Sequence, residues 1–197
     1  MYRPSHPITF TVAPLPSTRQ LRRFFFVGFS WTYTFKIGAK SLFTGELEAL
    51  LAAGEVDLIV HSLKDLPTTL PKGLRLGAVG EREDPRDSVI FRKDKMESHS
   101  SLADLPAGAW IGTSSLRRVA QLKAKYPLLN FESVRGNLNT RLKKLDTSTD
   151  DGPELKRYSA LVLAAAGVIR MGWKARIGEY LENDTCLHAV GQGSIGQ

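Results

Sequence analysis

Trp110–Arg118 reads WIGTSSLRR and Phe131–Arg141 reads FESVRGNLNTR. Each stretch passes from strand-forming residues through a Ser/Thr- or Gly-bearing turn into a helix that opens with arginine. A helix N-terminus already holds the positive end of the macrodipole, so arginine there is mildly unfavourable. Its appearance twice, where free backbone N–H groups also point, indicates an anion in front of both helices. A third motif, Val60–Pro67 (VHSLKDLP), sets a Lys-Asp pair at the end of another apolar strand. Together the three describe a cleft for a ligand bearing several carboxylates or phosphates.

Working outward, strands alternate with helices. Thr44 caps a helix with Leu47, Leu50 and Leu51 on its inner face, and Gly54 ends it. VDLIVHS (56–62) is a short β-branched run of the kind buried in parallel sheets. Leu74–Val79 and Ser88–Phe91 are further strand candidates, separated by the charged turn EREDPRD (81–87). Residues 93–108 read as loop with one short helix. Trp110–Gly112 and Asn130–Val134 are the strands leading into the arginine-bearing helices, and Pro127 stops the first of these. Tyr158–Leu163 is another buried strand, and Cys186–Val190 is the last candidate. This alternation predicts an α/β fold with right-handed crossovers, whose ligand lies at the carboxyl ends of the strands.

The net charge of +7 on 197 residues looks like a nucleic-acid signal until it is located. Residues 1–45 hold six basic residues (Arg3, Arg19, Arg22, Arg23, Lys36, Lys40) and no acid, which leaves 21 Lys and Arg against 20 Asp and Glu beyond them. The body of the protein is nearly neutral, so no nucleic-acid partner is expected. One cysteine, Cys186, excludes an intramolecular disulfide and a multi-cysteine metal site, and no metal is expected. No apolar stretch reaches the roughly 18–20 residues that span a bilayer, so no membrane partner is expected. Residues 1–35 are unlike the rest: four prolines break the first half, and FFFVGFSWTYTF follows neither a helical nor an alternating period. We read them as an atypical leader without a fold of its own, with organelle targeting as the other reading and a cytoplasmic location favoured.

HSLKDLP, GTSSLRR, RGNLNTR and the terminal AVGQGSIG, in that order, resemble the porphobilinogen deaminase (hydroxymethylbilane synthase) family of tetrapyrrole and heme biosynthesis. The resemblance runs from Lys36 (KIGAKSLFTGELE) to Gln197. It implies a transferase that condenses four porphobilinogen molecules into hydroxymethylbilane, releasing ammonia at each step, on a dipyrromethane cofactor held by a cysteine. Each pyrrole carries an acetate and a propionate, which agrees with the polycarboxylate cleft read from the residues. Arginine suits such a ligand because its fork makes bidentate, charge-assisted bonds to carboxylates.

The resemblance places the catalytic aspartate at Asp65, where a fixed carboxylate stabilises positive charge developing on a pyrrole. Ser62 and Lys64 are expected to bind substrate or cofactor beside it. Thr113, Ser114 and Ser115 offer hydroxyls and N–H groups at one helix start. Arg117 and Arg118 point about 100° apart on a helix. They hold two different ligand carboxylates, or one of them pairs with a structural acid. Arg135 and Arg141 flank Gly136 and Asn137, which permit a tight turn, and Gln192 resembles a ligand-contacting position near a hinge. His61 is read as a structural histidine rather than a general base. Cys186 is read as a structural thiol, because the family's cofactor cysteine lies well beyond AVGQG; the attachment cysteine is expected to be missing here.

The resemblance further implies a two-domain architecture like that of periplasmic binding proteins, acting as a monomer on porphobilinogen and polypyrrole intermediates. Residues 36–88 with 189–197 are expected to be the remnant of an incomplete first domain and 89–188 a second domain, with the third, cofactor-carrying domain absent. A chain so truncated is expected not to make hydroxymethylbilane alone. A non-enzymatic α/β anion-binding module is the alternative reading.

Overall fold

Residues 24–26, 44–148 and 158–196 are described in the computed structural model of this chain. In chain order the elements are β1 (Phe24–Phe26), α1 (Thr44–Ala52), β2 (Leu58–Ser62), β3 (Asp87–Phe91), β4 (Trp110–Gly112) and α2 (Leu116–Lys125). They continue with β5 (Asn130–Glu132), α3 (Leu138–Asp146), β6 (Tyr158–Ala164), α4 (Ala165–Arg170), β7 (Glu179–Leu181) and β8 (Ile195–Gly196). The fold is mixed α/β, as the alternation of elements predicts. The chain divides into two units, Met1–Arg82 with Ser194–Gln197, and Glu83–Gly193. These limits lie a few residues outside those expected, because Asp87 and Ser88 pair in register with β6 and β7 and so belong to the second unit.

In the first unit a three-stranded sheet runs β1-β2-β8, with β1 parallel and β8 antiparallel to β2. Leu47 of α1 is buried with Val56 and Ile59, and Leu50 and Leu51 pack on that cluster. That is the apolar face the sequence assigns to the helix. Gly54 ends it at a φ of 72°, a left-handed conformation that costs glycine little.

Three readings of the chain differ from the structure. Phe24–Phe26, inside the supposed leader, form β1 against Leu58–Val60, whereas the remainder of residues 1–35 lies outside the described residues. Three consecutive aromatics have high strand propensity, and β2 offers them an edge. Leu74–Val79 is not a strand and makes only an isolated bridge, Val79 to Gly196. Its side chains gain too little burial to hold an extended run, Leu76 being 41% and Val79 51% exposed. Cys186–Val190 is not a strand either. The N–H groups of Thr185 and Cys186 fold back onto the Glu182 carbonyl in a turn, and the strand lies earlier, at β7.

The second unit is built on a five-stranded sheet in the order β5-β4-β6-β3-β7. β4 lies parallel to both β5 and β6, while β3 is antiparallel to β6 and β7. Alternate residues of its central strands feed two cores. Val89, Phe91, Ala160 and Val162 pack with Ile111 and with Leu122 of α2. Ile90, Leu161 and Leu163 pack with Leu145 of α3 and Val168 of α4. Helices therefore cover both faces, which explains why the first six residues of β6 are buried in succession. Gly112 ends β4 where an added Cβ would meet the Leu161 and Tyr158 side chains, so only glycine allows this approach of strand to core. The parallel strands β4, β5 and β6 direct their carboxyl ends, and the antiparallel β3 its first residue Asp87, toward the same edge of the sheet.

Candidate functional site

In the first unit, β2 buries Ile59, Val60 and His61 and ends at Ser62. The chain then makes a single 3₁₀ turn, Leu63–Asp65, held by Leu66 N–H donating to the Leu63 carbonyl and Leu63 N–H to the Ser194 carbonyl. Pro67 prevents continuation into a helix. Ser62 precedes this turn without capping it through its side chain, Lys64 is half-buried, and Asp65 is exposed. His61 is 4% exposed, and its Nε2 has no hydrogen-bond partner. Burial pushes its pKa below the usual imidazole value, against the pull of Asp65 and Glu48. The ring is buried as a structural histidine would be, but its Nε2 is not satisfied.

In the second unit, β4 leads through Thr113, Ser114 and Ser115 into α2. Thr113 is buried and donates its N–H to the Glu132 carbonyl, and its hydroxyl accepts from Ser115 N–H at 3.4 Å. Ser114 donates its hydroxyl to the Val134 carbonyl and accepts from the Ser133 hydroxyl. Ser115 is the N-cap, its hydroxyl accepting from Arg118 N–H. The three hydroxyls therefore order the turn between two strand ends and a helix start.

Arg117, Arg118 and Gln192 do converge, but on Asp87. This carboxylate, fully buried, accepts Arg118 Nη2 at 2.7 Å and Gln192 Nε2 at 2.8 Å on Oδ1, and Arg117 Nη1 at 2.8 Å on Oδ2. The Cys186 thiol donates to Oδ2 at 3.5 Å. Burial raises the Asp87 pKa, but the charge of Arg118 and the bonds from both arginines and Gln192 outweigh it and hold the group below the usual carboxylate range. Cys186 is pushed up to about 11 by burial and by the Asp87 charge.

Of the two arrangements open for Arg117 and Arg118, the structure realises a variant of the second: both pair with a structural acid, and it is the same acid. The sequence reading missed Asp87 by assigning it to the turn before the strand. Its signal was an acid directly preceding a run buried on both faces, a position that requires paired charge. Arg118 also donates Nη1 to the Val162 carbonyl at 2.9 Å, yet its buried Nε has no partner.

The second arginine motif is a tight turn. Gly136 has a φ of 117°, and Asn137 caps α3, its Oδ1 accepting Thr140 N–H at 2.8 Å and the Thr140 hydroxyl at 2.9 Å. Arg141 folds back to donate Nε to the Gly136 carbonyl at 2.7 Å, and Lys144 donates to the Arg135 carbonyl at 3.0 Å. The Arg135 side chain is exposed. Desolvation lowers the Arg141 pKa, and the like charge of Arg118 adds to it. Two guanidiniums close enough to disfavour one another, one with an unmatched buried N–H, form a donor set suited to an anion.

Two arginine-bearing turns at one strand edge of an α/β sheet, and a Ser-Leu-Lys-Asp turn after a strand of the other unit, hold side chains of the kind that bind anions. Residues 32–197 match the family model described as "Porphobilinogen deaminase, dipyromethane cofactor binding domain". The chain is 58% identical over 162 residues to a porphobilinogen deaminase of Gloeobacter violaceus, covering 82% of this chain and 46% of that protein. It is 55% identical over 161 residues to that of Synechococcus elongatus (82% and 47%) and 52% identical over 162 residues to that of Neurospora crassa (79% and 46%). The chain belongs to the porphobilinogen deaminase family, a family of transferases in tetrapyrrole biosynthesis with dipyrromethane as cofactor. It spans about half the length of the curated relatives it matches. Among the described residues no helix is long and apolar enough to cross a membrane.

Proposed function

We propose that this chain carries the cofactor- and substrate-binding half of a porphobilinogen deaminase, condensing porphobilinogen into hydroxymethylbilane with loss of ammonia. The observation that carries the reading is the donor set around Arg118: a buried, partnerless Nε beside Arg141, at the strand edge where α2 and α3 begin. Dipyrromethane bears acetate and propionate groups, and guanidiniums with hydroxyls at helix starts are the donors such groups require. When bound, it supplies the nucleophilic pyrrole on which the product chain grows.

The chain's own residues do the rest. Arg117, Arg118, Arg135 and Arg141 hold carboxylates, while Thr113, Ser114 and Ser115 keep the α2 start in shape. Asp65 presents an exposed carboxylate on a short turn fixed between β2 and Pro67. Placed against pyrrole N–H groups, it accepts their hydrogen bonds and stabilises positive charge as ammonia departs and the new bond forms. Lys64, next to it, pairs with a substrate carboxylate. The two units, between which the chain passes at Arg82–Glu83 and again at Gly193–Ser194, support an architecture like that of periplasmic binding proteins.

The test is a chimera. Residues 36–197 of this chain replace the matching stretch of the Gloeobacter violaceus relative, and ammonia release from porphobilinogen is followed. Turnover is expected, and Asp65→Asn should lower kcat by about 10²–10³, as for loss of one preorganised charge-stabilising group. A chimera that folds and binds porphobilinogen without turnover would favour a binding module.

A further inference from the structure

Among the described residues Asp87 is the carboxylate in contact with both Arg117 and Arg118, and it sits fully buried among four polar partners, namely both guanidiniums, Gln192 and the Cys186 thiol, with Ala164 opposite in the β-ladder. Its two oxygens are divided between the arginines, Oδ1 taking Arg118 and Oδ2 taking Arg117. Successive residues of a helix diverge by about 100°. A single acid that takes one nitrogen from each therefore fixes both forks at once. Arg118 is then turned so that Nη1 meets the Val162 carbonyl, which leaves Nε as its unmatched donor. Arg117 is steadied further by the Leu187 carbonyl, which also accepts from Gln121 at 3.3 Å. On the other side, Gln192 Nε2 bridges Asp87 Oδ1 and the Pro85 carbonyl, at 2.8 and 2.7 Å.

We propose that Asp87 is a positioning residue for carboxylate binding: it orients Arg117 and Arg118, so that this buried negative charge strengthens anion binding. This rests on the reading of the two arginines as carboxylate holders. The proposal makes a prediction opposite in sign to simple electrostatics. Removing a negative charge within hydrogen-bond distance of two guanidiniums raises the positive potential and by itself should tighten anion binding. If Asp87 acts by orientation, its removal weakens binding instead, because two freed forks must be ordered again each time a ligand binds.

The experiment compares the full chain with Asp87→Asn and Asp87→Glu, using porphobilinogen as the probe in calorimetric titration. Folding is monitored by circular dichroism, and the arginine Nη resonances by ¹⁵N NMR in the absence of probe. The wild type should show resolved, slowly rotating Nη groups for Arg117 and Arg118. The Asn variant should show them averaged, with a Kd for porphobilinogen at least tenfold weaker. Asp87→Glu keeps the charge but shifts it by a methylene, so it should recover one arginine and part of the affinity. A folded Asn variant that binds as tightly as the wild type or tighter, with unchanged Nη signals, would overturn the proposal. If the Asn variant does not fold, the Glu variant decides: unchanged Nη signals and affinity overturn it, whereas averaging at one arginine with a several-fold loss supports it. If the wild type binds no porphobilinogen, the functional reading fails, and the probe-free Nη comparison alone decides whether Asp87 orients the arginines.

Discussion

At the scale of single residues, burial sorts the charges into two kinds of work. Asp65 stands exposed on its turn, whereas Asp87 is withdrawn from water and satisfied by two guanidiniums and an amide. Such a carboxylate stabilises the fold only while it is ionised. Its folded pKa lies below the unfolded value near 3.8, so its contribution is complete above that value and is lost as pH falls through the folded pKa. Acid titration of wild type should therefore show a drop in stability below about pH 4. An Asp87→Ala variant should lack this component and lose about 3–5 kcal/mol at neutral pH, measured by urea unfolding, because two arginines lose their acid. Cys186 follows the opposite sign. With a thiol pushed up to about 11 from 9.0, the unfolded chain ionises first, and stability should decline between those values as pH rises. At pH 8 the same thiol should react with iodoacetamide far more slowly in the native protein than in urea.

At the scale of elements, short signals set where the arginines stand. The α3 start depends on Gly136 in a positive-φ conformation and on the Asn137 cap. A Cβ at Gly136 would fall 2.8 Å from Thr140 Cγ2, a residue the cap itself holds. Gly136→Ala should therefore cost about 1–3 kcal/mol through strain, and Asn137→Ala about 1 kcal/mol through the lost cap, both read from thermal unfolding. Each should also displace Arg141, whose Nε is anchored on the Gly136 carbonyl. Thus porphobilinogen binding should weaken more in Gly136→Ala than the stability loss alone accounts for.

At the scale of the whole molecule, the second unit carries both of its own cores. Its sheet is covered by α2 on one face and by α3 and α4 on the other, and its charged cluster at Asp87 closes within residues 85–192. A polypeptide of residues 83–193 should therefore fold on its own, with dispersed amide resonances and a cooperative thermal transition. A collapsed, non-cooperative species would show that the first unit is required to hold it.

What the sequence alone determined is local or repeated. The Thr44 cap and the Leu47, Leu50 and Leu51 spacing located α1, a largely apolar run marked β6, and the Thr113–Ser115 stretch marked a helix start, whereas Asn137 was legible only as part of a tight turn. Four ordered motifs, HSLKDLP, GTSSLRR, RGNLNTR and AVGQGSIG, carry the family in the sequence itself. Each rests on a signal within a few residues of its effect: a period, a cap, a proline. What only the tertiary structure decided concerns partners distant in the chain. β7 is three residues long and exists because β3 offers it an edge. Leu74–Val79 fails as a strand because its large side chains at Leu76 and Val79 stay exposed. Asp87 acquires its role from Arg117 and Arg118, thirty residues on, and from Gln192, more than a hundred residues on. An acid beside a buried run shows that a charge will need partners but not which ones, and only the closing of the sheet around Asp87 turned a residue of a charged turn into the anchor of both arginines.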